Sequence, residues 1–137
     1  MAVLALTDAS ITINSVSLGN RANSVSINYE IDSLESTAFG SVGHSFVGGL
    51  QNLSVEIALM QDFAASAVEQ TIYPLIGSTA VAFEILPNGT AVGTANPKYT
   101  GSLIVTDWTP VAGAVGELLT ASVTWPITGA IVKDVTP

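Results

Sequence analysis

Apolar and polar residues alternate along four segments of the sequence, and this period of two is the pattern of a β-strand with one buried face. In NSVSINYEID the apolar positions are Val25, Ile27, Tyr29 and Ile31, and NLSVEIAL, AVAFEIL and LLTASVTWPI follow the same pattern. ASITINSVSL is a weaker fifth case, and KYTGSLIVTDW is a sixth with apolar residues on both faces. Several such segments predict a mainly β fold, a two-sheet antiparallel β-sandwich or a barrel.

One segment, QDFAASAVEQTIYPLIGS, departs from the alternation. Ser66 followed by Glu69 has the form of a capping box, in which two side chains satisfy free N–H groups at a helix start. Val68 and the apolar residues after it fall at helical spacing, and Gly77 fits a helix end. The segment therefore predicts one short α-helix that flanks the sandwich. LPNGT contains the Asn-Gly pair that is typical of a tight hairpin turn.

The composition is unusual for a chain that folds as an isolated globule. Residues 1–137 form a single predicted domain, with 48% hydrophobic residues but only 10% charged ones, against about 25% in ordinary soluble domains. No apolar run approaches the roughly 20 residues that a membrane helix needs, so a membrane is not an expected partner. A chain with so little charge is expected to cover part of its surface with other protein chains.

The charge balance and the missing residue types exclude several functions. Eleven acidic residues face three basic ones, which gives a net charge of −8, so the chain cannot grip nucleic acid through Lys and Arg contacts to phosphate. Cysteine is absent and His44 is the only histidine, which leaves little material for a catalytic triad or a metal site. We expect no enzyme activity, no cofactor and no bound metal.

One acidic residue lies on the face opposite the core in each of three predicted strands. Glu30, Glu56 and Glu84 each lie near the middle of a strand, and no lysine alternates with them in the same segments. They are either ordinary solvated carboxylates or parts of one unneutralised acidic surface. Such a surface would keep a polyanion from binding.

The outer face of the last long strand carries no charge at all, with Leu118, Thr120, Ser122 and Thr124 at its outward positions. Natural sheets place charge on exposed strands to prevent pairing with neighbours. Its absence indicates either an aggregation hazard or a face that meets another subunit. For a protein present at high concentration the subunit contact is the better interpretation.

Residues 35–49, ESTAFGSVGHSFVGG, form a long predicted loop, with four glycines and no lysine or arginine. Structureless connections longer than about twelve residues are usually functional or disordered. The candidate contact residues in this loop are Phe39 and Phe46, with His44 as a polar residue at a subunit contact.

Three segments resemble, in order, the major tail tube protein of long non-contractile-tailed bacteriophages (the siphophage type), especially those of actinobacterial hosts. They are VEIALMQDFAASAVEQTIYPLIGS, NPKYTGSLIVTDWTP and GAVGELLTASVTWPITGAI, and they lie within residues 53–132. The most specific pieces are NPKYTG and WPITG. The first fifty residues resemble the family less.

The resemblance implies a structural virion protein. Tail tube proteins of this kind are β-sandwiches with a flanking helix, and they assemble into hexameric rings whose inner sheets join into one continuous β-barrel. The rings stack around the tape-measure protein, a tail terminator ends the tube, and the genome later passes through without specific binding. By this resemblance the location is the virion tail, assembled in the host cytoplasm.

The same resemblance assigns roles to the candidate residues. The 35–49 loop would be an inter-ring arm anchored by Phe39 and Phe46, and the three glutamates would face the lumen of a negatively charged conduit. Two alternatives stay open: a tail terminator or head decoration protein on a related sandwich, and a monomeric ligand-binding sandwich such as a carbohydrate-binding module. The low aromatic content, 7%, disfavours the second.

Overall fold

The computed structural model describes residues 4–136 of the chain. Within them, seven antiparallel strands hydrogen-bond in the order β2-β1-β5-β6-β7-β4-β3. The mainly β fold with one short helix that the sequence predicts is confirmed. The elements are β1 (Ser10–Ile13), β2 (Val16–Ser17), β3 (Ala22–Glu35), β4 (Phe46–Met60), α1 (Val68–Ile72), β5 (Val81–Leu86), β6 (Lys98–Leu103) and β7 (Thr120–Asp134).

Strand β7 joins the two halves of the sheet. Its first half pairs with β4, from Met60 opposite Thr120 to Ser54 opposite Pro126, and its second half pairs with β6 from Ile127 onward. Pro126 stands at the crossover, where it has no N–H to offer to a ladder and its carbonyl oxygen accepts from the Ile104 N–H at 3.1 Å. The two predicted layers are therefore one continuous sheet, which is not closed within a single chain.

A single hydrophobic cluster fills the space that the folded sheet encloses. Trp125 is its largest member, fully buried, and its indole Nε1 donates to the backbone oxygen of Asp107 at 2.9 Å. The alternating positions of the sequence supply the core, and their burial excludes water from both halves of the sheet. Its main strand members are Ile11, Ile13, Leu53, Val55, Ile57, Leu59, Val81, Phe83, Ile85, Leu103, Val123 and Ile127.

The predicted helix is present, but its predicted capping box is wrong. Ser66 has a φ of +59° and Ala67 is the N-cap, without a side-chain cap bond. The carboxylate of Glu69 instead accepts a hydrogen bond from the indole Nε1 of Trp108 at 2.8 Å. A tertiary contact to the β6–β7 connection has replaced the local one. The helix passes into a 3₁₀ turn and ends before Gly77, whose φ is +75°.

The Asn-Gly pair does not form the tight hairpin turn that the sequence predicts. Residues 87–97 connect β5 to β6, and the side chain of Asn96 holds the connection by donating to the Asn88 oxygen at 2.9 Å and accepting from the Asn88 N–H at 3.1 Å. The Gly89 N–H donates to the Asp8 oxygen at 2.8 Å. The backbone of the Asn-Gly pair therefore hydrogen-bonds to the N-terminal segment and does not close a two-residue turn.

We predict that the ion pair between Arg21 and Asp62 makes stability depend on pH at the acid end. Arg21 Nε lies 2.7 Å from Asp62 Oδ2, and the Ala64 N–H donates to the same carboxylate at 2.9 Å. The Ala64 hydrogen bond first, and the Arg21 contact second, hold the pKa of Asp62 below its usual 3.8. A lowered folded pKa means that this stabilisation is present above 3.8 and is lost as the pH falls through the folded pKa.

The Asp62→Asn variant should therefore be less stable than the parent chain at neutral pH, and the difference should disappear in strong acid. Urea unfolding followed across the acid range measures both curves. A difference that is the same at neutral and at strongly acidic pH would contradict the role of the charge.

Candidate interaction surfaces

The β3–β4 hairpin extends beyond the body of the sheet. The two strands pair along their whole length, from Ala22 opposite Leu59 to Glu35 opposite Phe46, whereas β7 accompanies β4 only as far as Ser54. We call residues 28–52 the arm. All of them are exposed except Gly49, which is half-buried. A two-stranded ribbon of this kind is only marginally stable in water by itself.

Large apolar side chains are exposed along the arm. Phe39 at the tip is fully exposed and Leu50 is 82% exposed. Soluble monomers rarely show contiguous apolar patches larger than a few hundred Å², and such patches commonly mark sites of protein–protein contact. The arm therefore has the composition of a surface that is buried in an assembly. Its other exposed apolar residues are Tyr29, Ile31, Leu34, Val42, Phe46 and Val47.

The long loop predicted over residues 35–49 is shorter in the structure. Glu35 belongs to β3, Phe46–Gly49 belong to β4, and only residues 36–45 connect the strands. A register shift between Ile31 and Ser33 lets the ladder continue through the glycine pair, because a β-bulge absorbs one extra residue on one strand. The glycine content predicted a loop here, but Gly48 and Gly49 are part of strand β4 because that strand pairs with β3.

The tip of the arm is held by its own hydrogen bonds. The Ser36 N–H donates to the Ser45 oxygen at 2.7 Å, and the Thr37 hydroxyl donates to Glu35 Oε2 at 2.9 Å while accepting from the Ser45 N–H. His44 Nδ1 lies 2.6 Å from the same Glu35 oxygen. The His44 contact, followed by the Thr37 contact, lowers the pKa of Glu35 below its usual value.

The three candidate residues of the loop have different surroundings. His44 turns back onto the ribbon, with its ring centroid 6.4 Å from that of Phe46. Phe39 lies in the turn closed by the Ser41 N–H and the Ala38 oxygen, and its side chain is free. The structure therefore brings His44 and Phe46 together and leaves Phe39 as the most exposed apolar group.

Two of the three predicted glutamates share one face of the sheet. Glu56 lies opposite Ser26 on β3 and opposite Thr124 on β7, and Glu30 lies opposite Asn52 on β4. We call this side of β3, β4 and β7 the polar face. Small polar side chains surround the two carboxylates, and none of the residues paired across it is basic. The other polar residues on this face are Ser24, Asn28, Ser54, Thr120 and Ser122, and Ala58, Met60 and Pro126 lie there too.

The third glutamate lies elsewhere. Glu84 is on β5, and two strands, β6 and β7, separate it from β4. Lys98 Nζ lies 3.7 Å from Glu84 Oε1, so a basic group from the neighbouring strand partly offsets this carboxylate. Sequence reasoning looked for lysines within the same segment, whereas this lysine arrives through the pairing of β5 with β6.

Three of the four predicted subunit-contact residues lie on the polar face as well. Ser122 and Thr124 are exposed there, Thr120 is half-buried at the start of the strand, and Leu118 precedes the strand and is exposed. The lumen prediction for Glu56 and the contact prediction for Ser122 and Thr124 therefore concern the same surface. Strand β7 is also central in the sheet, not an edge.

A groove that sequence reasoning missed runs beside the free edge of β3. It has a volume of about 650 Å³ and lies between the N-terminal segment and the start of β3, with Asp8, Ala9, Arg21 and Val25 among its lining residues. A smaller apolar groove of about 170 Å³ adjoins it and shares Leu6, Ala9 and Val25. We call the two together the edge groove. No local pattern could reveal it, because its walls come from distant parts of the chain.

Within residues 4–136, no group of three or more His, Cys, Asp and Glu side chains is placed to hold a metal ion. In the same residues no helix is long and apolar enough to cross a membrane.

The fold defined by this topology is a bent antiparallel sheet with a projecting two-stranded arm and one short helix. No family model matches the chain, and a search of curated proteins found no match. Solved structures do share the fold. A chain in the virion of a native gene transfer agent particle has a TM-score of 0.77 at 12% identity, covering 96% of this chain and 98% of that one.

Two further structures have the same fold. A chain in the tail of an empty gene transfer agent particle, refined with C6 symmetry, has a TM-score of 0.67 at 14% identity, covering 82% of this chain and 81% of that one. A chain in the sheath–tube complex of an extracellular contractile injection system, PVC, has a TM-score of 0.72 at 10% identity, covering 98% of this chain and 93% of that one.

Proposed function

We propose that the chain is a structural virion protein that polymerises into stacked rings and forms the tail tube of a siphophage-type particle. The observation that carries this proposal is the arm, which exposes apolar side chains in a fold shared with chains of tail and sheath–tube assemblies. The role is mechanical rather than enzymatic. The finer resemblance, to phages of actinobacterial hosts, rests on the sequence segments alone.

Ring formation would use the unpaired edges of the sheet. Strand β3 is an edge strand of fourteen residues, and its row of free N–H and C=O groups is a template for another strand. Its only charged residues are Glu30, Asp32 and Glu35, so no lysine protects it. Pairing of this edge beyond the edge groove with a neighbouring copy would extend the sheet into a continuous barrel. The C6 symmetry of the similar tail supports six copies in a ring.

Stacking would use the arm. The interface between rings would bury the exposed apolar residues of the arm, including Phe39 and Phe46, with His44 holding the tip through Glu35. This keeps the predicted inter-ring role of residues 35–49 and enlarges it to the whole arm. The tape-measure protein inside the tube and a tail terminator at its end are the other proposed partners.

The polar face would line the lumen. Six copies of a chain with a net charge of −8 carry six times −8, or −48, in each ring. A negatively charged conduit repels phosphate and lets DNA pass without binding. Glu30 and Glu56, among small hydroxyl and amide side chains, fit this role, and Ser122 and Thr124 would line the lumen beside them. Glu84 is a weaker candidate because Lys98 offsets its charge.

Electron microscopy of the purified, concentrated protein tests the proposal. We expect open tubes with a regular axial repeat. Single rings or a fixed number of copies would instead favour a tail terminator or head decoration protein. Sedimentation as a monomer at every concentration would favour a ligand-binding module and would refute the tube proposal.

A charge change on the polar face gives a second prediction. Tubes of the Glu30→Lys/Glu56→Lys variant should assemble and should bind short DNA, with an affinity that falls steeply with salt, whereas parent tubes should not bind it. Fluorescence anisotropy of labelled DNA measures this. The matched control is Asp107→Lys/Glu117→Lys, which makes the same change in net charge on the exposed β6–β7 connection.

If the control tubes bind DNA as strongly as the polar-face variant, total charge and not the lumen is responsible. Absence of binding to the polar-face variant in assembled tubes would remove Glu30 and Glu56 from the lumen.

A further inference from the structure

The apolar part of the edge groove has the size of one aromatic ring. Its volume is about 170 Å³, and a cavity of about 150 Å³ lined by Leu, Ile and Phe is large enough to bind benzene. Its lining is apolar apart from Ser26 and includes Leu6, Val25, Ile27, Leu86 and Tyr99. A groove of this kind gains free energy by excluding water when an apolar side chain enters.

Phe39 is the aromatic side chain that the molecule leaves free. It is 110% exposed at the tip of the arm. Its own chain cannot bring it to the groove, because β3 runs away from the groove wall at Ile27. Eight residues of strand separate Ile27 from Glu35, or about 26 Å at about 3.3 Å per residue, and the tip lies beyond. The groove and its matching side chain therefore belong to opposite ends of one hairpin.

The charges of the two surfaces are complementary. The arm carries Glu30, Asp32 and Glu35 and no lysine or arginine. Two of the three basic residues of the chain lie beside the edge groove: Arg21 lines it, and Lys133 lies opposite its wall residue Tyr99, whereas Lys98 points to the other face of β6. Asp62 accompanies Arg21, and Asp8 also lines the groove. Lys133 has no ion pair within the described residues.

We propose that Phe39 of one copy inserts into the edge groove of a second copy. The inference rests on the proposed tube function and names the receptor of the arm. Tip and groove are different surfaces at opposite ends of the hairpin, so the contact is head-to-tail. Such a contact repeats without limit unless its rotation closes a ring. It would leave each growing assembly with free tips at one end and free grooves at the other.

Disulfide trapping tests this contact directly, because the chain has no cysteine of its own. Ala9 lines both parts of the groove, so the pair is Phe39→Cys with Ala9→Cys. Oxidation of assembled double-variant tubes should give a ladder of multimers on a non-reducing gel, and each single variant should give at most dimers. The control pair, Phe39→Cys with Ser122→Cys on the polar face, should give no ladder.

A disulfide requires Cα atoms within about 7 Å, so a flexible bismaleimide is applied in parallel. Assembled tubes in which neither reaction links positions 39 and 9 would overturn the proposal, and so would an equal ladder from the control pair. Failure of the parent chain to polymerise would instead overturn the proposed function, which separates the two failures.

Truncation at the tip gives an independent readout. The Phe39→Ala variant should raise the concentration needed for polymerisation by at least tenfold, because buried aromatic anchors dominate protein interfaces. Val42→Ala, at an equally exposed position of the same 36–45 connection, is the matched control and should change the concentration needed for polymerisation less than threefold. Equal effects of the two substitutions would show that the groove does not recognise Phe39.

Discussion

Replacing residues 37–44 by Asn-Gly should abolish polymerisation while leaving the subunit folded. Ser36 and Ser45, which already share a hydrogen bond of 2.7 Å, would then flank a two-residue hairpin turn of the type that Asn-Gly favours. The change removes Phe39, Val42 and His44 but keeps the ladder of β3 and β4. We expect the concentration needed for tube formation to rise at least a hundredfold, or about 3 kcal/mol.

Light scattering and electron microscopy measure the assembly, and circular dichroism measures the subunit. The melting temperature should stay close to that of the parent chain, because residues 36–45 contribute nothing to the core. A second loop replacement serves as the matched control: residues 112–117 of the exposed β6–β7 connection exchanged for a Gly/Ser linker of equal length. Tubes of normal length and yield from the tip variant would refute the role of the arm in stacking.

The Trp125→Ala substitution should destabilise the subunit by about 3–5 kcal/mol, which is the usual cost of removing a large buried aromatic side chain. Trp125 is fully buried and lies opposite Val55 in the last part of β7 that still pairs with β4. Its indole also donates to the Asp107 oxygen, so the substitution leaves both a cavity and an unpaired carbonyl group. The melting temperature should fall by about 10–20 °C.

Trp125→Phe separates the two contributions. Phenylalanine keeps most of the packing but loses the hydrogen bond and the volume of one ring, so the expected cost is about 1–3 kcal/mol. Urea unfolding of both variants measures the difference. If alanine and phenylalanine cost the same, the hydrogen bond to Asp107 and not the packing holds the crossover together.

The candidate site was predictable only in part. The sequence singled out Phe39, His44 and Phe46 because a glycine-rich stretch without basic residues is unusual between two strands. It placed them in a loop, whereas the pairing of Leu34 with Val47 and Glu35 with Phe46 extends the hairpin into an arm. Glycines 48 and 49 read as loop residues locally, and only the partner strand reveals that they are paired.

The glutamates show the same division. Alternation put each of them on the side of a strand away from the core, and buried neighbours confirm that side for Glu56 and Glu84, whereas Tyr29 and Ile31 beside Glu30 are exposed. Which strands are neighbours is not a local property. In the order β5-β6-β7-β4-β3, Glu30 and Glu56 lie on neighbouring strands. Glu84 lies in a different part of the sheet, beside Lys98.

The sequence by itself determined the strands, the core positions and the shortage of charge, because these depend on residue type and on a spacing of two along the chain. Only the tertiary structure decided the crossover at Pro126, the length of the arm and the edge groove. These features arise where segments distant in sequence pair or stop pairing. The free energy of pairing depends on the residues of both segments. The pattern of one segment alone therefore cannot predict them.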